Sequence, residues 1–196
     1  MVIGITGFSG TGKTYFAKKL RRMISSAIII QQDNYYKGCP NDRARDYNFD
    51  TLEAIDVEKL YSDILKLKNM KKVKVPKYDF ETHKRIGYYL VKPREIILLE
   101  GHLIFLDERI RKLTDLLIFL DINVDLALVR RIKRDLKDRG RDVMEVINRY
   151  ERFVARLHRD LELLKKESDI VIPYFRNNEK AIVVISAFIE KYRKEI

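Results

Sequence analysis

"VIGITGFSGTGKT" spans Val2 to Thr14, and its last eight residues, Gly7-Phe8-Ser9-Gly10-Thr11-Gly12-Lys13-Thr14, match G-x-x-x-x-G-K-[ST]. The leading "VIGIT" is a short β-favouring run, and the following "YFAKKLRRMI" has helical periodicity. In a strand–turn–helix of this kind, glycines let backbone N–H groups turn inward around phosphate oxygens. Gly7, Ser9, Gly10, Thr11 and Gly12 would form the cradle. Lys13 would reach the β- and γ-phosphates and Thr14 would ligate Mg²⁺, with the helix N-terminus adding its positive end. A glycine-rich turn alone is weak evidence. With the Lys-Thr pair in this context, the stretch predicts a nucleoside triphosphate site. ATP and GTP are equally acceptable, because the loop reads phosphates rather than bases.

Outward from that loop, brief apolar runs recur at 2–6, 27–31, 95–100, 115–121 and 169–173. Nearly continuous Val/Ile/Leu runs suit strands buried on both faces of a parallel sheet. Helical patterns lie between them at 13–24, 57–67, 124–137, 143–165 and 178–194. Such alternation predicts an α/β sandwich with right-handed crossovers. Residues 73–91 break the rule: two strand-like runs flank "YDFETH" with no helix between them, which reads as a hairpin inserted between the second and third core strands.

The 196 residues fit one domain over 1–196. A hydrophobic content of 46% with 35% charged residues describes a globular chain rather than a disordered one. No apolar run approaches the roughly 20 residues of a membrane span. The N-terminus lacks a signal-peptide pattern, and the single Cys39 forms no internal disulfide, so the cytoplasm is expected. A net charge of +11 raises a nucleic-acid partner, but no recognition module accompanies it.

A guanine-reading Asn-Lys-x-Asp is absent, which disfavours a GTPase switch. A small-molecule kinase needs a base, a metal carboxylate and charge-neutralising cations, and the chain offers each. Asp33 follows the second strand and would face the loop across the crevice, where a carboxylate could take a hydroxyl proton; an Asx-turn explains it equally well on position alone. Glu100 ends the third apolar run and suits a metal contact, direct or through water. Arg130, Arg131 and Arg134 lie at helical spacing, with Arg139 and Arg141 flanking Gly140. Guanidinium forks clamp phosphoryl oxygens, and the glycine would let 134–142 close as a lid. Asp135, Asp138 and Asp142 offer the bland reading of a solvated helix face.

In order along the chain, "GFSGTGKT", "QQDNYYK" (31–37), "NFDTLEAID" (48–56), "VPKYDFETHKR" (75–85), "LLEGHLIF" (98–105), "RRIKRDLKDRGRD" (130–142) and "NNEKAI" (177–182) resemble the uridine/cytidine kinase branch of the phosphoribulokinase–uridine kinase family. The resemblance implies a nucleoside-kinase-type three-layer α/β sandwich: a five-stranded parallel sheet, an inserted β-hairpin lobe and an arginine-rich lid. It implies Mg²⁺-dependent transfer from ATP or GTP to the 5′-hydroxyl of uridine or cytidine, in pyrimidine salvage, by a homo-oligomer. Asp33 would be the base, with Lys13 and Arg134 also catalytic. Arg130, Arg134 and Arg139 would serve the phosphates and Asn178 the adenine side. Asp50 would hold the ribose hydroxyls near Arg131, and Tyr78, Phe80, His83 and Arg141 would line the base pocket. Arg149 stands where the family typically has a glutamine before a tyrosine, which bears on acceptor choice. Nicotinamide riboside or a sugar phosphate is the alternative acceptor, and a nucleotide-dependent nucleic-acid-binding module the alternative of another class.

Overall fold

The computed structural model describes residues 1–39, 46–174 and 179–193. The five apolar runs form one parallel sheet, built from β1 (Val2–Thr6), β2 (Ala27–Gln31), β5 (Ile96–Glu100), β6 (Leu116–Asp121) and β7 (Ile170–Pro173). Its spatial order is β2-β5-β1-β6-β7, which puts the strand feeding the glycine-rich loop at the centre. Every residue of β1 and β5 is buried, as expected where helices cover both faces. On one face, Phe16 and Leu20 of α1 (Lys13–Met23) pack with Ile182, Ile185 and Ile189 of α7 (Glu179–Tyr192). On the other lie Leu60 and Ile64 of α2 (Val57–Lys68) with Leu157, Leu161 and Leu164 of α6 (Ala155–Lys166). The result is the expected three-layer sandwich.

Residues 73–91 are the antiparallel hairpin, with β3 (Val73–Asp79) and β4 (Lys84–Val91) forming a separate two-stranded sheet. A hairpin alone is marginal. This one is tied down by Arg85, which donates to the Tyr36 and Tyr35 carbonyls at 2.8 and 3.1 Å and to Asp56 at 3.0 Å. Cys39 N–H also donates to the His83 carbonyl at 3.1 Å.

One expectation needs correction. The helix expected over 143–165 is two helices, α5 (Val143–Arg149) and α6, joined by a π-helical turn over Tyr150–Val154. Such a turn inserts a residue that period counting does not register. Within the segment read as a lid, 134–142, α4 (Val124–Asp138) runs through Asp138 and 139–142 lie outside a helix. Asp142 caps α5, accepting from Glu145 N–H at 2.9 Å. A short helix not expected from the sequence, α3 (Glu108–Leu113), precedes β6, capped by Asp107. Among the described residues, no helix is long and apolar enough to cross a membrane.

Candidate active site

The cleft lies beyond the C-terminal ends of β1, β2 and β5. Parallel register sets Gln31 beside Glu100, and β1 enters the glycine-rich loop at the same edge. Gly10 has φ of +94°, and a Cβ there would stand 2.2 Å from the Ala127 carbonyl oxygen, so the loop closes against α4 only without a side chain. The Lys13 ammonium donates to the Gly7 and Phe8 carbonyls at 3.0 and 2.9 Å. Desolvation lowers its pKa to about 8 against the opposing pull of Glu100 and Asp33. Ser9, Gly10, Gly12, Lys13 and Thr14 line the cleft; Gly7 and Thr11 do not, Thr11 being fully buried with its N–H on the Phe8 carbonyl.

Thr14 Oγ1 and Gln31 Nε2 both donate to Glu100 Oε1 at 2.7 Å. Burial raises the Glu100 pKa, and the proximity of Asp33 adds to the rise. No group of three or more His, Cys, Asp or Glu residues suited to a metal ion occurs among the described residues. A hydroxyl and a carboxylate side by side still fit Mg²⁺ held mainly by phosphate oxygens and water, the usual manner for that ion. Asp33 lies in a 3₁₀ turn, Gln32–Tyr35, just past β2 and lines the same cleft.

The arginines converge on a residue the sequence reading took for a solvating neighbour. Asp135 is fully buried, and it faces Arg134 at 2.8 Å, Arg141 at 3.0 Å, Arg139 at 3.4 Å and Arg131 at 3.9 Å. Burial alone would raise its pKa, but four guanidinia outweigh that and hold it below the ordinary carboxylate range. The spacing Arg131-Asp135-Arg139, one helical turn apart each time, was the available signal. Arg134 also reaches Ser9 Oγ at 3.4 Å. Arg139 joins the two ends of the cleft, 3.7 Å from Asp33 Oδ2 and 4.0 Å above the Phe80 ring. Arg130 lines the cleft as well.

At the far end Tyr78, Phe80 and His83 from the hairpin face Tyr36 and Phe49. The Tyr36 and Tyr78 rings lie 5.2 Å apart, and His83 stacks on Phe49 at 4.8 Å with 24° between planes. His83 adopts φ of +54°, an uncommon conformation for a non-glycine residue, which the hairpin turn imposes. Burial, then Arg141 and Arg149, lower its pKa to about 4, so the ring is neutral near pH 7. Arg149 is buried in this wall, 5.1 Å over the Phe49 ring and 3.3 Å from Glu145.

Asp50 sits between the two ends, gripped by Arg131 and approached by His102 Nε2 at 3.5 Å. Gln32 orders that contact. Its Oε1 accepts from the Leu103 and Ile104 N–H groups at 2.8 and 3.1 Å, leaving its amide N–H to face His102 Nδ1 at 3.3 Å. That pairing places the imidazole proton on Nε2, toward Asp50. Sequence reasoning missed Tyr36, Phe49, His102 and Asp135; a lone histidine or aromatic carries no local mark of its tertiary position. Asn178 lies outside the described residues.

Comparison with known proteins gives the family. Residues 2–181 match the model of the Phosphoribulokinase / Uridine kinase family. A uridine kinase of Borrelia duttonii (strain Ly) is 39% identical over 198 residues, covering 99% of this chain and 96% of the relative. Among solved structures, a candidate fructose transport system kinase from Silicibacter sp. TM1040 superposes with TM-score 0.73 at 19% identity, covering 88% of this chain and 89% of the other. A "possible uridine kinase" from Bacillus stearothermophilus gives 0.56 at 22%, covering 88% of each chain. Those two share the fold. A P-loop, an arginine-bound acid on α4 and an inserted aromatic hairpin thus occur together in a chain that belongs to the Phosphoribulokinase / Uridine kinase family and is a kinase of it.

Proposed function

We propose that the protein transfers the terminal phosphoryl group of ATP or GTP to the 5′-hydroxyl of uridine or cytidine, releasing the nucleoside diphosphate. The observation that carries the reading is one continuous cleft with the phosphate-binding loop at one end and the Tyr78–Phe80–His83 wall at the other. Asp33 and Asp50 line it between them. An aromatic wall with a few convergent polar groups suits a flat heterocycle.

In this reading the donor phosphates lie on the loop and Lys13, and Arg130, Arg134 and Arg139 neutralise charge on the transferring group. Asp33 accepts the proton of the 5′-hydroxyl as the new O–P bond forms and the bond to the leaving diphosphate breaks. Asp50, oriented by Arg131 and His102, accepts hydrogen bonds from ribose hydroxyls. Mg²⁺ held by Thr14, Glu100 and the phosphates supplies charge stabilisation and alignment when bound. We assign this work to a single kinase domain over 1–196, in pyrimidine salvage in the cytoplasm.

Nucleoside diphosphate release, measured with ATP, Mg²⁺ and a panel of acceptors, tests the reading. Uridine or cytidine should be turned over, and adenosine, nicotinamide riboside and ribulose 5-phosphate should not. Turnover confined to one of the latter would overturn the acceptor assignment and leave the P-loop chemistry standing. ATP binding without any turnover would overturn both.

A further inference from the structure

We infer that His102 is a further acceptor-binding residue, which donates its Nε2 proton to the sugar hydroxyl that Asp50 holds. This rests on the acceptor reading above and deepens it. Parallel pairing of Gln31 with Glu100 brings together two side chains seventy positions apart, Gln32 just past β2 and His102 just past β5. Gly101 allows the approach, since a Cβ there would stand 2.5 Å from Gln32 Oε1. Gln32 is fully buried, and its oxygen is committed to the Leu103 and Ile104 N–H groups. Reversing the amide would strand two buried backbone donors. Only an amide N–H is left to face the imidazole, so Nδ1 accepts and Nε2 carries the proton.

That proton is not taken up inside the protein. His102 is 8% exposed and lines the cleft, and its Nε2 is buried with no hydrogen-bond partner. Asp50 Oδ1 lies 3.5 Å away, too far for a good hydrogen bond. Burial lowers the His102 pKa against the pull of Asp50, so the ring is neutral near pH 7 and has this one proton to offer. Asp50 supplies the complementary half. Arg131 occupies one lone pair on each of its oxygens and leaves one on each open. A hydroxyl both donates and accepts. The carboxylate reads only its donating side, and an imidazole N–H beside the carboxylate reads its accepting side. Together they hold a hydroxyl in one orientation, which neither does alone.

The experiment measures kcat and KM for uridine, 2′-deoxyuridine and 3′-deoxyuridine, with ATP and Mg²⁺, in the wild type and His102→Leu. Loss of one hydrogen bond should raise the uridine KM about tenfold in His102→Leu, with kcat and the ATP KM within about threefold. The deoxy analogue that lacks the hydroxyl in question should show wild type and variant nearly alike, because the residue and the hydroxyl act as one pair. An unchanged uridine KM, or the same penalty for uridine and both analogues, overturns the inference and leaves the acceptor reading intact. Turnover of neither uridine nor cytidine by the wild type removes both. The wild type also supplies a reading that no variant's folding can obscure. The chain has three histidines, so ¹⁵N-histidine labelling and NMR resolve the His102 ring. The proton should sit on Nε2, and saturation with uridine should shift its resonance. A ring protonated on Nδ1, or an Nε2 proton that uridine leaves unmoved, overturns the inference.

Discussion

Arg131 holds Asp50 through two hydrogen bonds, Nη1 to Oδ1 at 3.2 Å and Nη2 to Oδ2 at 3.1 Å, with both side chains almost wholly buried. The pair joins α4 to the Asn48–Asp50 stretch across the cleft, and its geometry is the bidentate fork that carboxylates favour. Burial opposes ionisation of Asp50, but Arg131 first and His102 second outweigh it and hold the carboxyl well below its usual range.

Asp50→Asn should therefore do two things at once. It leaves a buried guanidinium without its counter-charge, which costs about 3–5 kcal/mol of stability, readable by urea denaturation. In the same variant the nucleoside KM should rise while the ATP affinity holds. A depressed folded pKa also sets the acid side: the pair's contribution is present above the ordinary carboxylate range and fades as pH falls through it. The wild type should lose stability below about pH 4 more steeply than Asp50→Asn does.

Asp33 is tested by separating binding from turnover. Asp33→Asn keeps the shape and removes the proton acceptor, so kcat should fall by about 10²–10⁴-fold, the range general base catalysis supplies. ATP affinity, read by calorimetry, should stay within a few-fold. Full activity in Asp33→Asn would return this residue to an ordinary turn at a strand exit.

Much of this was legible in the sequence because the relevant signals are local. The strand runs around Val2–Thr6 and Ile96–Glu100, the Gly7–Thr14 motif and the 73–91 hairpin each carry their meaning within a few residues. Asp135 shows where that ends. An acid among arginines on a helix has the same pattern whether water or four guanidinia surround it, and only packing of the 139–141 segment back onto α4 decides. His102 is a similar case, since its role depends on Gln32, seventy positions away in sequence. The π turn was invisible because the apolar spacing on either side of Tyr150–Val154 still reads as helix.

Asp135→Asn gives the arginines' arrangement its own test. Without that charge, Arg134, Arg139 and Arg141 lose the acid they converge on, while Glu145 and Asp33 hold only Arg141 and Arg139. Removing a buried counter-ion should destabilise the fold by about 3–5 kcal/mol. In folded protein, kcat should drop and the ATP KM rise together, because the guanidinia no longer point into the cleft. Unchanged kinetics would make the cluster a purely structural knot on α4.

Lys13 gives a prediction whose sign can be worked out. Its pKa in the free protein lies at about 8, below the ordinary 10.5, chiefly through desolvation. Between those values the unfolded chain binds more protons than the folded one, so this residue's contribution to stability rises with pH across that window. Phosphate binding runs the other way. A protonated ammonium is what the triphosphate needs, and the free protein supplies it fully only below about pH 8. ATP affinity, measured by calorimetry from pH 7 to 9.5, should therefore weaken above that value, approaching a tenfold loss per pH unit if one proton is taken up on binding. The Lys13→Arg variant keeps its cation throughout and should flatten the profile even if its longer fork lowers kcat. A wild-type profile level through pH 9.5 would mean that the ammonium leaves the Gly7 and Phe8 carbonyls with its pKa already near the ordinary value.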